Sequence, residues 1–94
     1  MAKGYWIARV DVKNPDAYKN YVEGTAAAFA KYGARFLARG GRSAQLEGPM
    51  RARNVVIEFE SYEVALACWN SPEYQRGAGV RQPPLAEGGL NILE

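Results

Sequence analysis

Between residues 4 and 12 the chain alternates: Trp6, Ala8, Val10 and Val12 fall on one side of an extended backbone, and Tyr5, Ile7, Arg9 and Asp11 on the other. That period of two predicts a strand over 4–12 with one apolar and one mixed face. The period then changes. Tyr18, Tyr21, Val22, Thr25, Phe29 and Tyr32 recur three and four residues apart, which predicts an amphipathic helix. Asn14, Pro15 and Asp16 start it with a capping amide, a proline where no N–H is needed, and an acid near the positive end of the helix dipole. Gly33 closes it.

Alternation returns over 34–39, with Phe36, Ala38 and Gly40 on one side and Arg35, Leu37 and Arg39 on the other. Gly40, Gly41, Ser43, Gly48 and Pro49 then predict a bulge and a hairpin, with a short irregular strand over 44–46. The strand predicted over 54–60 sets Val55, Ile57 and Phe59 against Val56, Glu58 and Glu60. Ser61 is the expected N-cap of a short helix bearing Tyr62, Ala65, Leu66 and Trp69. Ser71 and Pro72 restart a second helical piece, SPEYQ. Gly77, Gly79, Pro83 and Pro84 predict irregular chain after it, before a last strand over 90–93.

This order predicts one domain over residues 1–94: an α+β, ferredoxin-like βαββαβ sandwich, with four antiparallel strands and the helices on one face. The apolar set Trp6, Ala8, Val10, Phe36, Ala38, Val55, Ile57, Phe59, Leu90 and Ile92 is assigned to the helix side. Ile7, Arg9, Leu37, Arg39, Val56, Glu58 and Leu93 then form the open face. A solvated face is normally polar throughout, so one that mixes aliphatic residues with arginine and glutamate predicts a partner. The simplest is a second copy, two sheets closing face to face into a barrel.

Composition narrows the chemistry. A chain of 94 residues buries only about two-thirds of its unfolded surface when alone, which adds weight to a homodimer. With 48% hydrophobic and 23% charged residues it is globular material, and a net charge of +2 argues for neither nucleic acid nor an anionic membrane. Cys68 is the only cysteine, so an intrachain disulfide or thiolate cluster is excluded. Histidine is absent, which removes the usual neutral-pH acid/base and the commonest metal and haem ligand. No cofactor or metal is expected. Arg9 interrupts the first apolar run, no small-residue cleavage site follows it, and no segment suits a membrane span, so a cytoplasmic setting is expected. RNA-recognition domains share this topology but stack bases on open-face aromatics of the first and third strands; here the third strand offers Val56 and Glu58.

The blocks GYWIARVDV, NPDAYKNY, FAKYGARFLARGG, LEG, VVIEFES and SPEYQ resemble a family of short bacterial proteins that carry only a domain-of-unknown-function label, within the dimeric α/β-barrel superfamily. The resemblance runs from Gly4 to about Tyr74 and implies the fold and the dimer, with no agreed reaction. Pro83 and Pro84 depart from the pattern, in which a helix more often continues toward the last strand. The wider superfamily holds cofactor-free monooxygenases, haem-degrading enzymes, lactone isomerases and stress-associated dimers.

Two constellations are candidates for function. Arg39 with Glu58, seconded by Arg9, forms either a buried ion-pair lattice at the dimer seam or a grip for an anionic substrate. Small Ala8 and Ala38 beneath Trp6, Tyr21 and Trp69 make either a filled core or a pocket for a small hydrophobic or aromatic molecule. Cys68 lacks a histidine to activate it and reads as a buried inert thiol. The arginines at 35, 42, 51 and 53 read as a solvated mixed surface. The expectation is a homodimeric small-ligand protein without catalysis, the alternative a cofactor-independent monooxygenase or isomerase acting on a small aromatic compound.

Overall fold

The computed structural model describes residues 2–81 and 86–94. In chain order the elements are β1 (Gly4–Val12), α1 (Pro15–Lys31), β2 (Arg35–Arg39), β3 (Arg53–Phe59), α2 (Tyr62–Asn70), α3 (Pro72–Arg81) and β4 (Ala86–Leu93). The strands form one antiparallel sheet in the order β2-β3-β1-β4. This is the ferredoxin-like arrangement expected from the sequence, with β3 inserted between the two strands that α1 connects.

Local signals set most boundaries. The N–H of Tyr18 donates to the carbonyl of Asn14 (2.9 Å), opening α1 at Pro15. At the other end Gly33 takes φ +69°, while the N–H of Ala34 donates to Phe29 (2.9 Å) and that of Gly33 to Ala30 (3.3 Å). That pair of bonds is a Schellman closure, which needs the left-handed residue glycine supplies. Ser61 caps α2 by accepting from the N–H of Val64 (3.2 Å). Buried Ser71 both ends α2, donating to Cys68 (2.7 Å), and starts α3, accepting from the N–H of Tyr74 (3.1 Å).

Three expectations about the elements are corrected. No strand forms over 44–46; residues 41–50 are all exposed, so a strand there would have no apolar face to bury. The helix begun at SPEYQ does not stop, but runs through Gly77 and Gly79 to Arg81. At Gly77 it lies so close to α1 that an added Cβ would sit 2.4 Å from Thr25 Cγ2 and 3.0 Å from the Gly24 carbonyl carbon. Gly77 therefore brings two helices together rather than breaking one. Finally β4 begins at Ala86 rather than residue 90, because Gly88 and Gly89 pair with Val10 and Arg9 without showing any side-chain alternation. Pro83 and Pro84 lie outside the described residues.

The core lies between the helices and one sheet face. Trp6, Val55, Ile57 and Phe59 from the sheet meet Ala28 and Phe29 of α1, Ala65 and Cys68 of α2, and Tyr74 of α3. Among the described residues no layer covers the opposite face, and their shortest dimension, 17 Å, is that of one sheet and one helical layer. Among the described residues no helix is long and apolar enough to cross a membrane, and no group of acidic, cysteine or histidine residues is placed to hold a metal ion.

Candidate functional site

The site is shaped by a bulge in β2. Arg35 lies opposite Glu58 and Phe36 opposite Ile57, but the register then shifts: Ala38 lies opposite Val56 and Arg39 opposite Val55. Residues directly opposite share a face, and one extra residue reverses the alternation. Leu37 is that residue, and past it Ala38 belongs to the open face and Arg39 to the helix side. This corrects both assignments made from simple alternation. It also corrects the expected ion pair, since Glu58 is bonded to Arg35 (3.3 Å) and not to Arg39.

On the helix side an apolar cleft opens between α1 and the sheet. Trp6 and Ala8 of β1, Tyr21, Val22, Thr25 and Phe29 of α1, Phe36 of β2, Val55 and Ile57 of β3 and Leu90 of β4 line it, together with Arg39 and Arg53. Its cavity volume is about 40 Å³. One water needs about 10–15 Å³ on this measure, so the layer is incompletely packed here. The side of Ala8 is the reason: it stands between Val55 and Leu90 in the sheet with only a methyl group to offer the helix above it.

The helix wall of the cleft is held from behind. Thr25 is buried and its hydroxyl donates to the Tyr21 carbonyl (2.8 Å), fixing its rotamer against α1. The Tyr21 hydroxyl lies 3.0 Å from that of Tyr74, which is fully buried among Trp6, Phe29 and Trp69. At the mouth, the Arg39 guanidinium lies over the Phe36 ring, 4.1 Å from its centroid. Arg53, opposite Val10, is likewise on the helix side, with its guanidinium 5.7 Å from the Tyr18 ring.

Of the residues singled out in the sequence, Trp6, Ala8 and Tyr21 meet at this cleft and Ala38 and Trp69 do not. Trp69 packs behind Trp6 (5.9 Å between ring centroids) and against Tyr74 (5.3 Å). Arg9 is exposed on the open face opposite Asn54, four strand positions from Glu58 and so about 13 Å along the sheet. There it lines a shallow basin with Asp11, Met50 and Arg51, where Arg51 donates to Asp11 (2.9 Å). That basin is the larger concavity, about 550 Å³, but it is wide open on the uncovered sheet face. The enclosed apolar cleft is the better candidate site.

Cys68 is fully buried, and burial pushes its thiol up to about 12, with the Glu73 carboxylate adding to the shift. At neutral pH it is therefore a thiol and not a nucleophile. Sequence reasoning missed Arg53, Tyr74 and the true direction of Arg39. Of these only Arg53 had a signal: counting back from Val55 on the same strand puts it on the apolar side.

Among solved structures the fold recurs in a protein of unknown function from Rhodopseudomonas palustris, 19% identical with a TM-score of 0.72 over 97% of this chain and 80% of that one. It recurs in SnoaB, a cofactor-independent oxygenase from Streptomyces nogalater, at 14% identity and a TM-score of 0.63 over 100% and 93% of the two chains. A dimeric ferredoxin-like protein of unknown function from Thermobifida fusca is 16% identical, with a TM-score of 0.57 over 97% and 89%. At these identities the likeness establishes the fold alone. No functionally curated protein matches the chain. The family profile described as a domain of unknown function, DUF1330, matches residues 3–94, and the chain belongs to that family.

Proposed function

We propose that this protein is a homodimer that binds a small hydrophobic or aromatic molecule in the cleft between α1 and the sheet. The observation that carries the reading is the unfilled space over Ala8, walled by Trp6, Phe29 and Phe36 and open toward Arg39 and Arg53. Developed ligand pockets usually run to about 300–1,000 Å³. A cavity of about 40 Å³ thus suits the edge of one flat ring, with the rest of the molecule in the mouth. Ala8→Val tests it. The added methyl groups enter empty space, so the variant is expected to melt like the parent yet no longer to respond to small aromatic probes. In a filled core the same change overpacks and costs about 1–3 kcal/mol, and that loss in a parent without ligand response would remove the reading.

The dimer is proposed through the open sheet face. Leu37 and Leu93 are exposed there at 54% and 49%, beside Ile7 and Val56, while the Glu58 side chain is already down to 16% exposure in the single chain. Covering this face with a second sheet buries the aliphatic residues and places the Arg35–Glu58 pair in the seam. Sedimentation at micromolar concentration should return twice the chain mass of 10.4 kDa; a single-chain mass under those conditions would refute it.

The second reading, a cofactor-independent monooxygenase or isomerase on a small aromatic compound, is supported by the fold shared with SnoaB and by the contact of Tyr21, on the cleft wall, with the Tyr74 hydroxyl behind it. A phenol pair is able to pass a proton. Turnover of a bound aromatic compound separates it from binding alone.

A further inference from the structure

Among the described residues nothing neutralises the two cations at the mouth of the cleft. Arg39 and Arg53 both line it, no acidic residue does, and among the described residues no carboxylate pairs with either. The ion pairs Lys3–Glu60, Lys31–Glu73, Arg35–Glu58 and Arg51–Asp11 lie elsewhere. Among the described residues Arg53 Nε is buried and has no hydrogen-bond partner. A buried donor left unmade is costly, and the residue that carries it lines the cleft, so an acceptor entering there would meet a guanidinium whose hydrogen bonding is incomplete.

The backbone is arranged to hold these groups there. The β2 bulge turns Arg39 from the open face into the cleft, where Phe36 supports the flat side of its guanidinium and leaves the N–H edge free to donate. Gly40 takes φ +69°, and its bare Cα lies beside Arg53 Nη1, so that a Cβ there would displace the guanidinium from its present position. Glycine at 40 therefore serves both the turn after the bulge and the seat of the second guanidinium.

We propose that the ligand of this cleft is a monocarboxylate with a flat apolar body, its carboxylate held at the mouth between Arg39 and Arg53 and its ring lying on Ala8 among Trp6 and Phe36. The inference rests on the cleft being a binding site and adds the chemical class of what it binds. A carboxylate is planar and accepts paired N–H donors from a guanidinium fork. The walls away from the mouth are apolar, so a neutral molecule leaves the cations idle and a second carboxylate on the far side of the ring would be buried without a partner.

Benzoate and its neutral isostere benzamide provide the test, titrated at neutral pH and low salt with the indole signal of Trp6 as the readout. Benzoate is expected to bind, benzamide at least about tenfold more weakly, as loss of a charge-assisted hydrogen bond implies. Arg39→Gln changes an exposed residue and should leave the melting temperature unchanged while weakening benzoate about tenfold and benzamide hardly at all. Arg53→Lys, which keeps the charge and loses the fork, should fall between. Lys3→Gln removes a positive charge away from the cleft and should change nothing; equal weakening by it would reduce the effect to net charge and overturn the proposal. Equal binding of benzoate and benzamide would overturn the carboxylate while the cleft stands. No response of Trp6 to either probe would remove both.

Discussion

Trp6→Ala is expected to cost about 3–5 kcal/mol, the range for truncating a buried large aromatic. Trp6 is 1% exposed, and its ring centroid lies 5.3 Å from that of Phe29, 5.4 Å from Phe59, 5.9 Å from Trp69 and 5.0 Å from Tyr74. Those partners come from α1, β3, α2 and α3, so one side chain joins every helix to the sheet. Its indole N–H donates to the Ala65 carbonyl (2.9 Å), tying β1 to α2. Alanine leaves a cavity that rings held from four directions cannot collapse into. Domains of this size are stable by about 5–15 kcal/mol, so the variant is expected to be marginal or unfolded as a single chain. Trp69→Ala is the comparison, because Trp69 is only half-buried and removal of its ring leaves the Trp6 contacts to Phe29, Phe59 and Tyr74 in place. Urea unfolding of both variants measures the difference. Equal losses would mean that Trp6 is one core residue among several and not the joint between the layers.

Much of the architecture was legible because its signals are local and redundant. The alternation of Trp6, Ala8 and Val10 survives into β1 with the same ends, Gly33 closes α1 through a bond pattern only a left-handed residue permits, and Ser61 caps α2 as its position foretold. The site was less legible for one physical reason. A bulge consumes a residue without leaving a mark in side-chain chemistry, and Phe36-Leu37-Ala38-Arg39 reads as ordinary alternation whether or not Leu37 is the extra residue. From that single step follow the exchange of Ala38 and Arg39 between faces and the presence of Arg39 in an apolar cleft, whereas Arg35 stands opposite Glu58 ahead of the bulge and pairs with it by register alone. Tyr74 was hidden differently. Its helix is weak by local propensity, with Gly77 and Gly79 inside it, and exists because of what it packs on.

That packing makes the last prediction one of sign. In an isolated helix, replacing glycine by alanine stabilises by about 0.8–1.0 kcal/mol, and both Gly24 of α1 and Gly77 of α3 sit inside helices. At Gly24 an added Cβ meets only the Gly77 Cα, at an ordinary 3.5 Å. Gly24→Ala should therefore keep some of that gain, or be neutral. At Gly77 the same methyl group falls 2.4 Å from Thr25 Cγ2 and 3.1 Å from the Gly24 carbonyl oxygen. Thr25 cannot swing aside without breaking its bond to the Tyr21 carbonyl (2.8 Å), and backbone cannot yield without parting the helices. Overpacking of this kind costs about 1–3 kcal/mol, which outweighs the helical gain, so Gly77→Ala should destabilise where Gly24→Ala does not. The effect extends to the cleft, since α1 carries Tyr21, Val22, Thr25 and Phe29 along its wall and any retreat of α1 from α3 shifts these residues relative to the sheet. Paired urea unfolding curves give the signs. If both alanines stabilise, α1 and α3 are free to separate at their crossing and the cleft is not held to the width seen here.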